Sequence, residues 1–442
     1  MILPQLQGSR HGLILLPPSP VSNKIEVEIR LGLVNETAEI QSWRITLYVD
    51  SIENCCLLNG SIIEVSPNDP VLFKQKISTA GLEGQHRVYA ELVLCSTGET
   101  FRYDRPLEVL DCVNRSTDRI DGAFAGFFHW SPVEGRLWND ELRTWKQQDW
   151  ADMMRAMHEV SMDILLPQEA IRNQEYVGQH TMEKTGYHGK AFYPSKLFPG
   201  RMDIACDDPL EACLAAADEL DMSVFLPIGM YAWFDFSSGS LEWHKQVVQE
   251  MWERYGHHKS VYGFYVSEEV CGDLGATKKD KTDIIEFFRE FTPFYRRLAP
   301  ECPIMLASNC HYLDKAKNYY PELLKNLDIL CTFAFHRMPP FDRTGEEAAA
   351  LLQSMCDAAG SHLWLDMEAF LFEDDNALYP RPVEGLIEDF RRFPNFEKVV
   401  CYQFPGIFNP PWARSKPGGE RTVQLFNDYK QYLEKHRTWT GK

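Results

Sequence analysis

From Asp121 onward, short apolar runs alternate with amphipathic stretches eight times. This rhythm restricts the fold more than any other feature of the chain. The apolar runs are Ala123–Trp130, Asp163–Pro167, Ser223–Tyr231, Val261–Val266, Pro303–Ser308, Asp328–Phe335, Leu363–Met367 and Lys398–Phe404. Helical periodicity fills most of the gaps, over Asp140–Val160, Pro209–Leu220, Leu241–Tyr255, Lys281–Leu298, Glu346–Ala358, Val383–Arg392 and Thr422–His436. Only the link around Tyr319–Leu327 is shorter. Eight strand–helix repeats predict a (β/α)8 barrel. A doubly wound open sheet is the alternative. It would carry a glycine-rich phosphate loop after its first strand, where this chain has His129-Trp130-Ser131-Pro132.

The residues before the barrel have a different period. Lys24–Val34, Ser42–Val49, Ser61–Val65, Val71–Ile77, His86–Leu94 and Phe101–Leu110 alternate apolar and polar side chains, with turn residues between them. Several short strands of period two predict an antiparallel sandwich. The expected organisation is therefore an N-terminal segment over 1–20, a sandwich over 21–112, a linker over 113–121 and a barrel over 122–438. A chain of 442 residues accommodates this.

Charge and composition remove several function classes. With 45 Lys+Arg against 64 Asp+Glu, the net charge is −19, so a basic footprint for nucleic acid is missing. No apolar run reaches the ~18 residues of a membrane span. Leu13–Leu16 is too short for a signal-peptide core and is followed by Pro17, Pro18 and Pro20. The twelve cysteines are scattered without a Cys-x-x-Cys pair, as expected of reduced thiols in a reducing compartment. These features predict a soluble cytoplasmic protein, or an exported one if the chain is a processed form. They give no information on its oligomeric state.

In a (β/α)8 barrel the chemistry sits at the C-terminal ends of the strands, and side chains alternate between the interior and the helix-facing side. In the fourth strand Phe264 and Val266 form the apolar, helix-facing set, which places Tyr265, Ser267 and Glu269 inside. A bulge would bring Glu268 there instead. In the seventh strand Leu363, Leu365 and Met367 face the helices, while Trp364, Asp366 and Glu368 face inward. Glu269 and Glu368 then meet over the cavity from opposite sides of the barrel. Two such carboxyl groups are the minimum for glycoside hydrolysis: one donates a proton to the leaving oxygen, the other attacks the sugar or activates water.

The sandwich resembles small immunoglobulin-like adhesion and carbohydrate-associated domains. The barrel resembles the large clan of retaining (β/α)8 glycosidases, in which the acid/base Glu ends strand four and the nucleophile Glu ends strand seven. The segments YGFYVSEEV (262–270) and DWADMMRAMHEVSMDILLPQ (149–168) are similar to a narrower group. That group consists of barrels suspected to be glycoside hydrolases, often with an N-terminal β-sandwich. The resemblance implies Glu269 as acid/base and Glu368 as nucleophile. One position departs from the clan: the Asn that usually precedes the strand-four Glu is here Glu268.

Other strand ends supply candidate sugar-binding groups: His129 and Trp130, Gln168 and Glu169, Tyr231 and Trp233, Glu268, Asn309 and His311, His336 with Arg337, Gln403, and Trp412 in the last loop. Amides and imidazoles suit hydroxyls, and flat rings suit sugar C–H edges. The long segment Ala170–Cys206, with Tyr176, His180, Tyr187, His188, Phe192, Tyr193 and Phe198, is expected to form a lid or cleft wall. The expected partner is a carbohydrate, with no nucleic acid, membrane, metal or cofactor. Two rival readings use the same cavity. One is a non-catalytic carbohydrate-binding barrel. The other is a metal-dependent hydrolase built on His129, Glu169, His311, His336 and Glu368, though His-x-His and His-Glu-x-x-His spacings are missing.

Overall fold

The computed structural model describes residues 9–172, 189–198, 200–229 and 235–440, the last four as backbone only. It divides into two compact units, residues 1–117 with 292–303, and residues 118–291 with 304–442.

The first unit is the expected antiparallel sandwich. One sheet has the order Ser9–Leu16, Glu26–Asn35, Pro70–Ser78. The other has the order Val21–Ser22, Thr100–Leu110, Gly84–Leu94, Gln41–Val49, Leu57–Val65. Inward residues of both sheets, among them Leu13, Ile29, Leu31, Trp43, Ile45, Val88 and Leu107, make one core. The segment before residue 21 is thus partly sheet: Ser9–Leu16 pairs along its whole length with Glu28–Asn35. Its apolar run Leu13–Leu16 is a buried strand.

The second unit is a closed parallel barrel. Its strands are β1 (Gly122–Ala125), β2 (Ile164–Pro167), β3 (Ser223–Pro227), β4 (Val261–Val270), β5 (Ile304–Asn309), β6 (Ile329–Phe333), β7 (His362–Glu368) and β8 (Lys398–Tyr402), with β8 pairing back to β1. The helices between them are α1 (Gln147–Glu159), α2 (Pro209–Leu220), α3 (Ser238–Tyr255), α4 (Lys278–Arg296), α5 (Tyr320–Leu324), α6 (Gly345–Ala359) and α7 (Val383–Arg392), and α8 (Glu420–Thr440) follows β8. Local chemistry sets their ends. Asp208 accepts the Glu211 N–H at the start of α2, ahead of Pro209 at its first position. Thr344 and Glu347 form a reciprocal capping box on α6, which ends at Gly360 with φ of 76°.

Two departures from the sequence reading bear on the site. The helix expected over Asp140–Val160 is broken, because Asp149 accepts the Lys146 N–H at 2.9 Å and starts α1 anew after a single turn at Asn139–Leu142. The first strand stops at Ala125, not Trp130. The Asn139 amide captures both backbone groups of His129, accepting its N–H at 2.6 Å and donating to its C=O at 3.0 Å. Those groups are therefore unavailable to the barrel ladder, and His129–Trp130 opens a loop over the mouth. Gly135 is required by this turn, since a Cβ there would lie 2.5 Å from that of His129.

Candidate active site

The two predicted carboxylates do converge, within a larger charged group. Glu269 interacts electrostatically with Arg337, Glu134 and Glu368, and Asp366 with Glu368, Glu269 and Arg337. The β4 register is irregular before Glu269: Val266 and Val270 stand opposite Leu306 and Ser308, four steps against two. Two extra residues return a strand to the same face, whereas one would reverse it. Glu269 therefore keeps its interior parity. Glu268 is fully buried and turned to the helix layer, its Oε1 3.7 Å from Nε2 of His244 in α3. There Phe287 of α4 packs edge-on to the imidazole.

The environments of these acids differ. Burial pushes the Glu269 carboxyl up to about 7, against the attraction of Arg337. Glu368 holds the guanidinium of Arg337, whose Nε and Nη2 both donate to Oε1, the first at 2.8 Å. Beneath them Asp366 is raised well above the carboxylate range by burial and by the charges of Glu368 and Glu269. Burial raises Tyr265 and Tyr402, with Asp366 and Glu269 adding to the first and Glu134, Asp366 and Glu269 to the second. Phe124 packs edge-on to Tyr265, 5.4 Å between ring centres.

Several of the proposed binding groups frame this mouth. His129 is buried, and burial lowers it to about 3, so it is neutral. Its Nδ1 lies 3.0 Å from the Ser131 N and 3.3 Å from the Ser131 O, and its Nε2 is 3.5 Å from Glu134 Oε2. Trp130 lies beside it, 4.9 Å between ring centres. His311, lowered chiefly by burial, feels Arg337, Asp342 and Glu368. Among the described residues, Gln168 Oε1, His311 Nε2, Asp366 Oδ1 and Gln403 Oε1 are buried side-chain atoms with no hydrogen-bond partner.

Other predicted residues are committed elsewhere. Glu169 forms a buried two-point ion pair with Arg172. Asn309 Oδ1 accepts the N–H groups of Gly272 and His311 and braces the loops after β4 and β5. His336 joins Asp389 of α7 at 2.7 Å and Arg392 at 2.9 Å, so its neighbour Arg337 is the strand-six residue that reaches Glu368. Trp412 bonds Glu159 at the far end of α1, 2.8 Å away, on the helix layer and not at the mouth. Tyr231 and Trp233 lie outside the described residues, as do Tyr176, His180, Tyr187 and His188. Of the expected lid, Phe192 packs on Phe127 and Phe128, Tyr193 bonds Glu250, and Phe198 meets Trp243 of α3. All three are core contacts. The metal-ligand set is not assembled, with Glu169 and His336 engaged as above. Among the described residues no group of three or more His, Cys, Asp or Glu is placed to hold an ion.

Glu134 is the residue that sequence reasoning missed. It sits in the loop after β1, where no periodicity marks it. The hydrogen bond from Leu378 N–H to its carbonyl, at 3.0 Å, and the Arg136–Asp375 pair bring that loop to the hairpin Phe370–Phe372/Leu378–Pro380.

A β-sandwich with a (β/α)8 barrel whose mouth is lined by acids is the class of protein these observations define. The chain belongs to the DUF4434 family, a domain of unknown function, whose pattern matches residues 120–415. Among curated proteins none matches the sequence. In structure it is similar to a candidate alpha-L-fucosidase from Bacteroides thetaiotaomicron, with 16% identity, a TM-score of 0.53, and coverage of 73% of this chain and 96% of that one. That likeness establishes the fold. Lower similarity extends to beta-glucuronidase 2 of Bacteroides uniformis (13% identity, TM-score 0.42, 97% of this chain and 50% of that one). It extends also to a beta-galacturonidase of Eisenbergiella tayi (12%, TM-score 0.41, 97% and 71%). This chain thus spans about half the length of the glucuronidase. No helix among the described residues is long and apolar enough to cross a membrane.

Proposed function

We propose that the protein is a glycoside hydrolase that cleaves a glycosidic bond in an oligosaccharide or glycoconjugate, with Glu269 as general acid/base and Glu368 as nucleophile or base. One observation carries the reading: two carboxyl groups from β4 and β7 share one electrostatic cluster in opposite environments. Glu269 is held near neutrality by burial, as a proton donor requires. Glu368 is the anion of an ion pair.

In the reaction Glu269 gives its proton to the glycosidic oxygen as the C1–O bond breaks. Glu368 Oε2 attacks C1 and forms a glycosyl ester. Water then replaces the ester, returning its proton to Glu269 and freeing Glu368. In the inverting variant Glu368 deprotonates the water that attacks C1 directly. Gln168 Oε1, His311 Nε2 and Gln403 Oε1, unpartnered among the described residues, supply hydrogen bonds for hydroxyls.

The test is turnover of a panel of aryl glycosides by the native protein and by Glu269→Gln and Glu368→Gln. Each variant is expected to lose at least ~10²-fold in kcat. Native turnover of any glycoside with neither substitution lowering it would refute the assignment. The anomer released first, read by NMR, separates retention from inversion.

A further inference from the structure

We infer that Phe372 is a specificity residue of the mouth, whose ring stacks on the C–H face of the sugar that Glu368 attacks. The inference rests on the glycosidase reading and adds a ligand contact to it.

Chain geometry turns this ring toward the site. β7 ends at Glu368, and after Ala369 the segment Phe370–Phe372 pairs antiparallel with Leu378–Pro380. On such a strand Phe370 and Phe372 share one face and Leu371 takes the other. Phe370 marks the inner face, because its ring packs edge-on to Tyr402 at the end of β8, 5.9 Å between ring centres. Tyr402 in turn feels Glu134, Asp366 and Glu269. Phe372 stands on that same face, edge-on to Phe370 at 5.4 Å. The guanidinium carbon of Arg337 is 5.9 Å from the centre of the Phe372 ring, and Nε of the same side chain donates to Glu368 Oε1 at 2.8 Å. One guanidinium therefore separates Phe372 from the proposed nucleophile.

The hairpin that presents the ring is pinned. Leu378 N–H donates to the Glu134 carbonyl at 3.0 Å, and Arg381 N–H to the Ala369 carbonyl at 2.9 Å. Arg136 pairs with Asp375 at 2.6 Å, and Arg421 of α8 with Glu373 at 2.6 Å. Even so, Phe372 is 42% exposed. A single exposed apolar residue is ordinary on a protein surface. A fixed aromatic ring beside two catalytic acids is different, because covering it with a ligand removes apolar surface from water at little cost in ordering.

The direction of the displacement names the occupant. The leaving oxygen takes its proton from Glu269 on one face of C1, and Glu368 acts from the other. β7 and β4 stand on opposite sides of the closed barrel. A ring beside Glu368 and Arg337 thus meets the sugar that is attacked, not the leaving group. A pyranose carries hydroxyls around its rim and C–H bonds on its faces, so a flat apolar ring takes a face while amides and imidazoles take the rim.

Kinetics of paired substrates test the idea: the 4-nitrophenyl and the methyl glycoside of one sugar, for each sugar the native protein turns over. Phe372→Ala should raise KM about tenfold for both members of a pair, with little change in kcat. Phe372→Trp should keep the native KM or lower it, and Leu371→Ala, on the opposite face, should leave KM unchanged. An unchanged KM in Phe372→Ala would overturn the inference. So would a rise confined to the 4-nitrophenyl member, which would put the leaving group on the ring. A fall in kcat at constant KM would make the ring a support for Arg337 and would overturn it too. Each of these leaves the glycosidase reading standing. If no glycoside is turned over, that reading fails, and saturation-transfer NMR with methyl glucosides and galactosides decides the inference. Saturation of ring C–H protons that Phe372→Ala abolishes supports it. No binding, or binding that the variant retains, overturns it.

Discussion

Replacing Glu269 by Gln removes an ionisation that the native barrel resists, and this has a measurable size. In the folded protein the carboxyl titrates near 7, against an ordinary value of 4.5 once the chain unfolds. Between those values the native state keeps a proton that the unfolded state has released. The stability this contributes is complete below pH 4.5, declines as pH rises, and is gone above 7. Roughly 2.5 units at about 1.4 kcal/mol each give a ceiling of about 3 kcal/mol. Glu269 keeps some solvent contact and has Arg337 near it, so about 1–3 kcal/mol is expected. The amide that replaces it has no such proton to lose. Urea unfolding of both proteins at pH 5 and pH 8.5 isolates the effect, because Glu134, also raised to about 7 by burial, is common to both. The Glu269→Gln variant should gain on the native protein by that amount between the two pH values. A difference that stays flat, or one that moves in favour of the native protein, would refute a buried, proton-holding Glu269.

Arg172→Met should destabilise the barrel by about 3–5 kcal/mol, since it strands the buried Glu169 without its partner. The double variant Arg172→Met/Glu169→Met should recover most of that in thermal unfolding, and a loss under ~1 kcal/mol in the single variant would contradict the pairing. Trp412→Phe removes the indole bond to Glu159 and should cost about 1 kcal/mol or less while leaving glycoside KM unchanged. A rise in KM would return Trp412 to the mouth.

Much of the fold is local in origin and was legible for that reason. The period of each segment follows from which side chains must face the core, and eight alternations of period two and period 3.6 admit few closures other than a barrel. Parity likewise carried Glu269 and Glu368 to the interior, because neighbouring residues on a strand must point to opposite sides. It survived the irregularity in β4 only because the extra residues number two.

What the sequence determined by itself was the set of residues each strand could present at its end. The tertiary structure decided which of them the site keeps. Glu169 and His336 are polar strand-end residues by sequence, yet Arg172 and Asp389, placed by other segments, claim them. Arg337 outranks its neighbour because it alone of the two spans to Glu368. Glu134 enters through a loop anchored to a hairpin over two hundred residues later. Periodicity reports the face of an element, whereas the partner of a charge depends on closure of the barrel and on loops with no period at all.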